Sequence, residues 1–114
     1  MGTKKLSTSE RGNYQRLEDV IGCKWSVSVL QAVAAGTNRP GALERRIEGI
    51  STKVLSERLR KLTNYELLEK HVYAEVPPRT EYALTDKGRR LVGIIEQIKT
   101  LDTETTRAET GGRK

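Results

Sequence analysis

The chain has 114 residues, 35% of them hydrophobic and 32% charged, with no Phe and one Trp; that length is one domain's worth and implies an aliphatic core under a charged surface. Lys and Arg outnumber Asp and Glu by 21 to 15, a net charge of +6, which suits a polyanion such as nucleic acid and, more weakly, an anionic membrane face. A membrane span is excluded, because the longest apolar run, residues 29–35, is broken by Gln31 and falls far short of the ~20 residues needed. The opening MGTKKLSTSERGN carries lysines without a following apolar segment, so no secretory signal and a cytoplasmic location are expected, and a single Cys excludes an internal disulfide framework.

Residues 1–12 are polar and are expected to form a flexible arm, residues 13–101 the folded domain, and residues 102–114 a polar tail that is disordered or prolongs the last helix. A first helix is expected from Asn13 as N-cap, with Leu17, Val20 and Ile21 at helical spacing, to Gly22. A second runs from Trp25 or Ser26 to Ala35, with Val27, Leu30, Val33 and Ala34 on one face and Gly36 just past its end. Both are short and need tertiary packing to be stable.

After GTNRPG, residues 42–48 carry Leu43 and Ile47 one helical turn apart and predict a short helix stopped by Gly49. Ser51 then caps a longer helix, residues 52–65, in which Leu55, Leu59 and Leu62 form a stripe beside Val54. Two helices joined by Gly49-Ile50-Ser51 make a helix-turn-helix candidate, with Thr52, Lys53, Ser56, Glu57, Arg60 and Lys61 on the other face of its second helix. Two strand-like runs, LLEKHVYAEV and RTEYALT, flank Pro77-Pro78. Proline cannot donate to a sheet ladder, so the pair belongs at the tip of a hairpin. Thr85 caps a last helix in which Leu91, Ile94, Ile95, Ile98 and Leu101 recur at helical spacing. The fold class expected is mainly α with a small β-hairpin, a winged helix-turn-helix.

This order has a physical use on duplex DNA. A capped helix fits a major groove about 12 Å wide and would offer Lys53, Ser56 and Arg60 to base edges, while a stiff hairpin tip would bring Arg79 to the flanking backbone or minor groove. The alternative reading of Arg58, Arg60 and Lys61 is a solvated helix face. Between residues 39 and 70 there are eight basic and five acidic side chains, so arrangement rather than total charge carries the DNA reading. The stripe from Leu91 to Leu101 could pack on its own domain, but a chain this small has little left to cover it, and a second copy would bury it. A two-fold homodimer would set two recognition helices ~34 Å apart on a pseudo-palindromic site. Enzyme chemistry is not indicated: His71 is the only His, no metal-ligand spacing, nucleophile signature or phosphate loop is present, and no cofactor or metal is expected.

Three stretches in order, IGCKWSVSVLQAV, ISTKVLSERLRKL and YAEVPPRTEYALTDKG, resemble the HxlR-type winged-helix transcriptional regulators, relatives of the MarR class, over residues 17–98. The resemblance implies a dimeric, sequence-specific DNA-binding regulator. Within it, Lys24-Trp25 would start the second helix, residues 51–62 would form the recognition helix and residues 73–82 the wing. It also implies that Ser51, Thr52, Lys53, Ser56 and Arg58 lie on the DNA-contacting stretch, that Arg39 lies just before the motif's first helix, and that Arg79 sits at the wing. The implied dimer interface takes Leu17 and Val20 from the first helix and Leu91, Ile94, Ile95, Ile98 and Leu101 from the last.

Two departures stand out. Glu66 occupies the place where the family usually closes the recognition helix with glycine, and a left-handed residue there costs on the order of 1 kcal/mol. Arg11 and Gly12 occupy the region where many members carry a reactive cysteine, while Cys23 stands where the family commonly has glycine. Lys24 beside Cys23 could lower the thiol pKa from about 8.5, the condition for a redox sensor; the other reading is a small buried residue in an interhelical turn. Three functions stay open on the sequence: the DNA-binding regulator, a winged-helix module whose basic face binds an acidic protein, and a regulator gated by a small ligand at the dimer interface or by Cys23 oxidation.

Overall fold

The computed structural model describes residues 14–112, with side chains described through residue 104. The expected arm, the expected cap Asn13 and residues 113–114 lie outside the described residues. The elements run α1 (Gln15–Ile21), α2 (Lys24–Ala34), α3 (Pro40–Arg46), α4 (Thr52–Asn64), β1 (Leu68–Tyr73), β2 (Arg79–Leu84) and α5 (Asp86–Gly112). This is the expected winged helix-turn-helix order. The last helix continues through Gly112, so residues 102–112 prolong it.

Helix α2 is the hub, packed against α1, α3, α4, α5 and β2. A helix with neighbours on several sides cannot stay amphipathic along one stripe. Accordingly Ser26, Val29, Leu30, Ala32 and Val33 are buried, whereas Val27 is only half-buried and Ala34 is exposed. The core continues through Leu43, Ile47 and Ile50 to the leucines of α4, then Leu67, Leu68, Tyr82, Leu91 and Ile95.

Helix α3 begins and ends two residues earlier than the sequence predicts. Pro40 takes the first helical position, where its fixed φ suits the helix and its missing N–H is not needed. Arg39, preceding it, is extended, as the residue before a proline prefers. Ile47 has already left the helix and turned into the core, and Gly49 makes the turn at φ +89°. Ser51 then caps α4, its Oγ accepting the Val54 N–H at 3.1 Å.

Helices α2 and α4 end in the same hydrogen-bond pattern. At α2 the Thr37 N–H reaches Ala32 O and the Gly36 N–H reaches Val33 O, both at 3.0 Å, with Gly36 at φ +103°. At α4 the Leu67 N–H reaches Leu62 O and the Glu66 N–H reaches Thr63 O, again at 3.0 Å, with Glu66 at φ +64°. Helix α4 therefore closes in a Schellman motif with glutamate in the left-handed position. The fully buried Leu62 and Leu67 hold it there.

That end is tied to α5. Thr85 Oγ1 donates to Glu66 O at 2.6 Å and accepts the Gly88 N–H at 2.9 Å, while the Thr85 N–H reaches Leu67 O at 3.1 Å. A Cβ on Gly88 would stand 2.1 Å from Leu67 O, so the close approach of the α5 N-terminus to the α4 end requires glycine.

The hairpin pairs antiparallel from Leu68↔Leu84 to Tyr73↔Arg79. Its base is fixed to the loop before α3 by the Tyr82 N–H, which donates to Asn38 O at 2.8 Å. Of β1 only Leu68 is buried; Val72 and Val76 are exposed, because the hairpin projects beyond the core and nothing is layered on it. Pro77 and Pro78 lie between the strands, and the Val76–Pro77 bond is cis.

Gly88→Ala is expected to destabilise the fold by about 2–3 kcal/mol through overpacking against the Leu67 carbonyl, whereas a merely tolerated helical glycine would gain about 0.5–1 kcal/mol from alanine. Urea unfolding reads the sign. Glu66→Gly is expected to stabilise by about 0.5–1 kcal/mol, because the left-handed penalty of about 1–2 kcal/mol exceeds glycine's extra unfolded-chain entropy; thermal unfolding with no rise in Tm would contradict it.

Candidate nucleic-acid interface

Leu55, Leu59 and Leu62 are all buried and set the rotation of α4 about its axis. At 100° per residue the opposite face carries Lys53, Glu57, Arg60 and Asn64, with Ser56 at its margin, and all five are exposed. Lys53, Ser56 and Arg60 have no hydrogen bond or ion pair among the described residues. Three of the expected DNA-contacting side chains thus share one unengaged face. Two others are engaged in the turn: the Ser51 hydroxyl caps α4, and Thr52 Oγ1 donates to Glu44 Oε2 at 2.7 Å, tying α4 to α3. Asn64 on this face had no motif to announce it; only the helix phase reveals it.

Arg58 and Lys61 are on a different flank from this set. Lys61 Nζ lies 2.8 Å from Asp19 Oδ2 of α1, and the Tyr65 hydroxyl donates to the same oxygen at 3.2 Å. The Lys61 hydrogen bond outweighs partial burial and holds the Asp19 carboxyl below the usual carboxylate range, while Asp19 in turn raises Lys61. Arg58 is half-buried, close enough to Asp19 and Cys23 to favour both as anions, and its Nε is buried without a hydrogen-bond partner. The reason is phase: residue 58 falls beside the leucine stripe, and residue 61, though well away from the stripe, is turned 100° from Arg60 to the side where Asp19 of α1 lies.

At the wing edge Arg79 is held by several neighbours. Its guanidinium stacks 4.0 Å from the ring centre of Tyr73, its cross-strand partner. Nη2 faces Glu75 at 3.3 Å and Nη1 faces Glu81 at 3.5 Å. Arg39 Nε approaches the same Glu81 oxygen at 3.6 Å. Two expected DNA-contacting arginines are therefore brought together around one carboxylate, beside a cleft of about 450 Å³ that Pro40 and Pro77 also line. Strand alternation puts residues 79 and 81 on one face, a signal present in RTEYALT, but the meeting with Arg39 depends on the Tyr82–Asn38 hydrogen bond.

Cys23 is half-buried at the N-cap position of α2. Burial pushes its thiol up, but the Ser26 hydroxyl, the Ser26 and Trp25 backbone N–H groups and the Arg58 charge together outweigh it, and the net pKa is lowered. None of these groups makes a full capping hydrogen bond to the sulfur. The cation acting on the thiol is Arg58, not Lys24, whose Nζ lies 4.8 Å from the Trp25 ring centre.

The apolar stripe of the terminal helices divides. Val20, Leu91 and Ile95 are buried in their own chain's core, and Leu17 packs half-buried against it. Ile94 and Ile98 face outward, 48% and 46% exposed, with Leu101 also exposed, together with Tyr14 just before α1 and Ile21 at its end. Among the described residues no cluster of His, Cys, Asp and Glu could hold a metal ion, and no helix is long and apolar enough to cross a membrane.

Comparison with known proteins agrees with this architecture. The HxlR-like helix-turn-helix family model matches residues 20–110. A protein of Synechocystis sp. named as an HTH-type transcriptional regulator is 40% identical over 81 residues, 71% of this chain and 60% of its own length. The chain thus matches less than two thirds of that relative. Among solved structures, one named as a MarR-family transcriptional regulator from Enterococcus faecalis V583 aligns with a TM-score of 0.80 and 27% identity, covering 95% of this chain and 98% of its own. The redox regulator HypR in its oxidised form aligns with a TM-score of 0.71 and 32% identity, covering 81% and 95%. With most of its length matched by the family model and its helix-turn-helix and wing in the same order, the chain belongs to the HxlR-like helix-turn-helix family.

Proposed function

We propose that the protein is a dimeric, sequence-specific DNA-binding transcriptional regulator acting in the cytoplasm. The observation that carries this reading is the outer face of α4, where Lys53, Ser56 and Arg60 are exposed and unengaged on a helix whose rotation is locked by three buried leucines. A lysine or arginine on such a helix can donate to guanine O6 and N7, serine to either strand's acceptors, and Asn64 to adenine, all within the width of a major groove. Names of the curated relatives support the regulatory role.

The dimer is supported by Ile94 and Ile98, which project from a 27-residue helix with their apolar faces in water. A second copy related by a two-fold axis would cover them and would present two α4 helices to a pseudo-palindromic site with half-sites ~34 Å apart.

One observation favours a second layer of control. Cys23 has a lowered pKa beside Arg58 of the recognition helix, and a neighbouring fold is that of a redox regulator. Attack of the thiolate on hydrogen peroxide would form an S–O bond, break the O–O bond and release hydroxide, leaving a sulfenic acid and changing charge and size at the α1–α2–α4 junction.

Binding to the chain's own upstream duplex and to an unrelated duplex separates the readings. Lys53→Ala and Arg60→Ala are expected to weaken own-site binding by about 1–3 kcal/mol each and unrelated binding much less; equal losses on both duplexes would rule out base reading by this face. Binding that ignores salt would favour the acidic-protein module instead. Hydrogen peroxide is expected to lower own-site affinity of the wild type and leave Cys23→Ser unchanged, read by fluorescence anisotropy with and without reductant.

A further inference from the structure

The chain's excess of positive charge does not reach the wing edge. There two guanidinium groups, Arg39 and Arg79, meet two carboxylates, Glu75 and Glu81, and the four charges cancel. Arg79 is the more restrained: it is stacked on Tyr73, each terminal nitrogen faces a carboxylate, and its Nε is buried. Arg39 sits at the N-cap of the first helix of the motif with its guanidinium 3.6 Å from a Glu81 oxygen. One of these arginines precedes the first helix of the helix-turn-helix and the other starts β2 of the wing.

We propose that Glu75 and Glu81 act as a brake on indiscriminate DNA binding and so set sequence specificity, an inference that rests on reading α4 and the wing as a DNA-binding surface. A phosphate that engages Arg39 or Arg79 must first displace a carboxylate and then tolerate its negative charge nearby. On unrelated DNA, where α4 finds no matching base edges, nothing favours that exchange, and the two arginines contribute little to binding. On the cognate site α4 seats in the groove, phosphates are held against the wing edge, and the exchange goes forward. The separations suit this use. At 3.3 to 3.6 Å the pairs are longer than the ~2.7–2.9 Å of a tight charge-assisted bond, and the Arg39 and Glu75 side chains remain 54% and 50% exposed. Such pairs contribute little to stability, so they can open without disturbing the fold. A rigid positioning role for Glu81 would predict the opposite sign, weaker binding once the carboxylate is removed.

The test is the salt dependence of binding for Glu81→Gln, for the double variant Glu75→Gln/Glu81→Gln, and for Glu96→Gln. The last changes net charge equally but sits on α5 beside Gln31 and Lys99. On an unrelated duplex the slope of log K against log salt is expected to steepen by about 0.9 for Glu81→Gln, which frees Arg39, and by about twice that for the double variant. The first change corresponds to a ratio of variant to wild-type affinity that shifts roughly threefold between 50 and 200 mM salt. The preference for the chain's own upstream duplex should narrow in the same order, and Glu96→Gln should leave both quantities at the wild-type value. Equal slopes for Glu81→Gln and Glu96→Gln, or weaker binding of Glu81→Gln to both duplexes, would overturn the brake. Failure of the DNA reading itself is separately visible: the wild type would then show no salt-dependent binding to either duplex, and the brake would fall with it.

Discussion

Thr85 joins three parts of this molecule through its hydroxyl and its backbone N–H. It donates to the carbonyl of Glu66, where α4 ends, and accepts the N–H of Gly88, where α5 begins, while the backbone N–H of the same residue holds the Leu67 carbonyl at the foot of the wing. Because α4 ends in a left-handed turn locked by Leu62 and Leu67, the hairpin leaves in a fixed direction. Because Gly88 lets α5 approach that turn closely, the long helix starts from the same point. The orientation of the wing and of the outward Ile94–Ile98 face relative to α4 follows from this one junction.

A second link connects α4 to α1. Asp19 takes hydrogen bonds from Lys61 and Tyr65, and Arg16 of α1 lies 5.7 Å from the Tyr65 ring centre. Each is a partly exposed contact of modest strength, but they converge on the flank of α4 from which the Arg58 charge acts on Cys23. Basic residues of α4 therefore divide by helix phase into those that hold the helix in its domain and those that face outward. Composition treats Arg58 and Arg60 alike; the 200° between them separates an internal role from an external one.

The same division appears at the wing. A basic protein would be expected to use every exposed arginine toward a polyanion, yet Arg39 and Arg79 are both met by carboxylates. Net charge describes attraction at a distance, where the whole +6 acts. Close contact is decided by which cations are already paired.

Element order, helix type and the caps were legible in the residues themselves, because they rest on local physics: Ser51 and Thr85 as N-caps, Gly36 past the end of α2, the prolines at a hairpin tip, the leucine period of α4. Local physics also marked Glu66 as the strained end of α4. What local pattern could not supply was the environment on each side of an element. Whether Val20, Leu91 and Ile95 face their own core or a partner, whether Arg58 faces DNA or Asp19, and whether Arg79 is free or held by Glu75 and Glu81 depend on neighbours distant in the chain. The sequence by itself determined the winged helix-turn-helix and the amphipathic character of its helices, since capping and periodicity act within a few residues. The tertiary structure decided which side chains remain available for a partner, because burial and ion pairing are settled only when helices and hairpin meet.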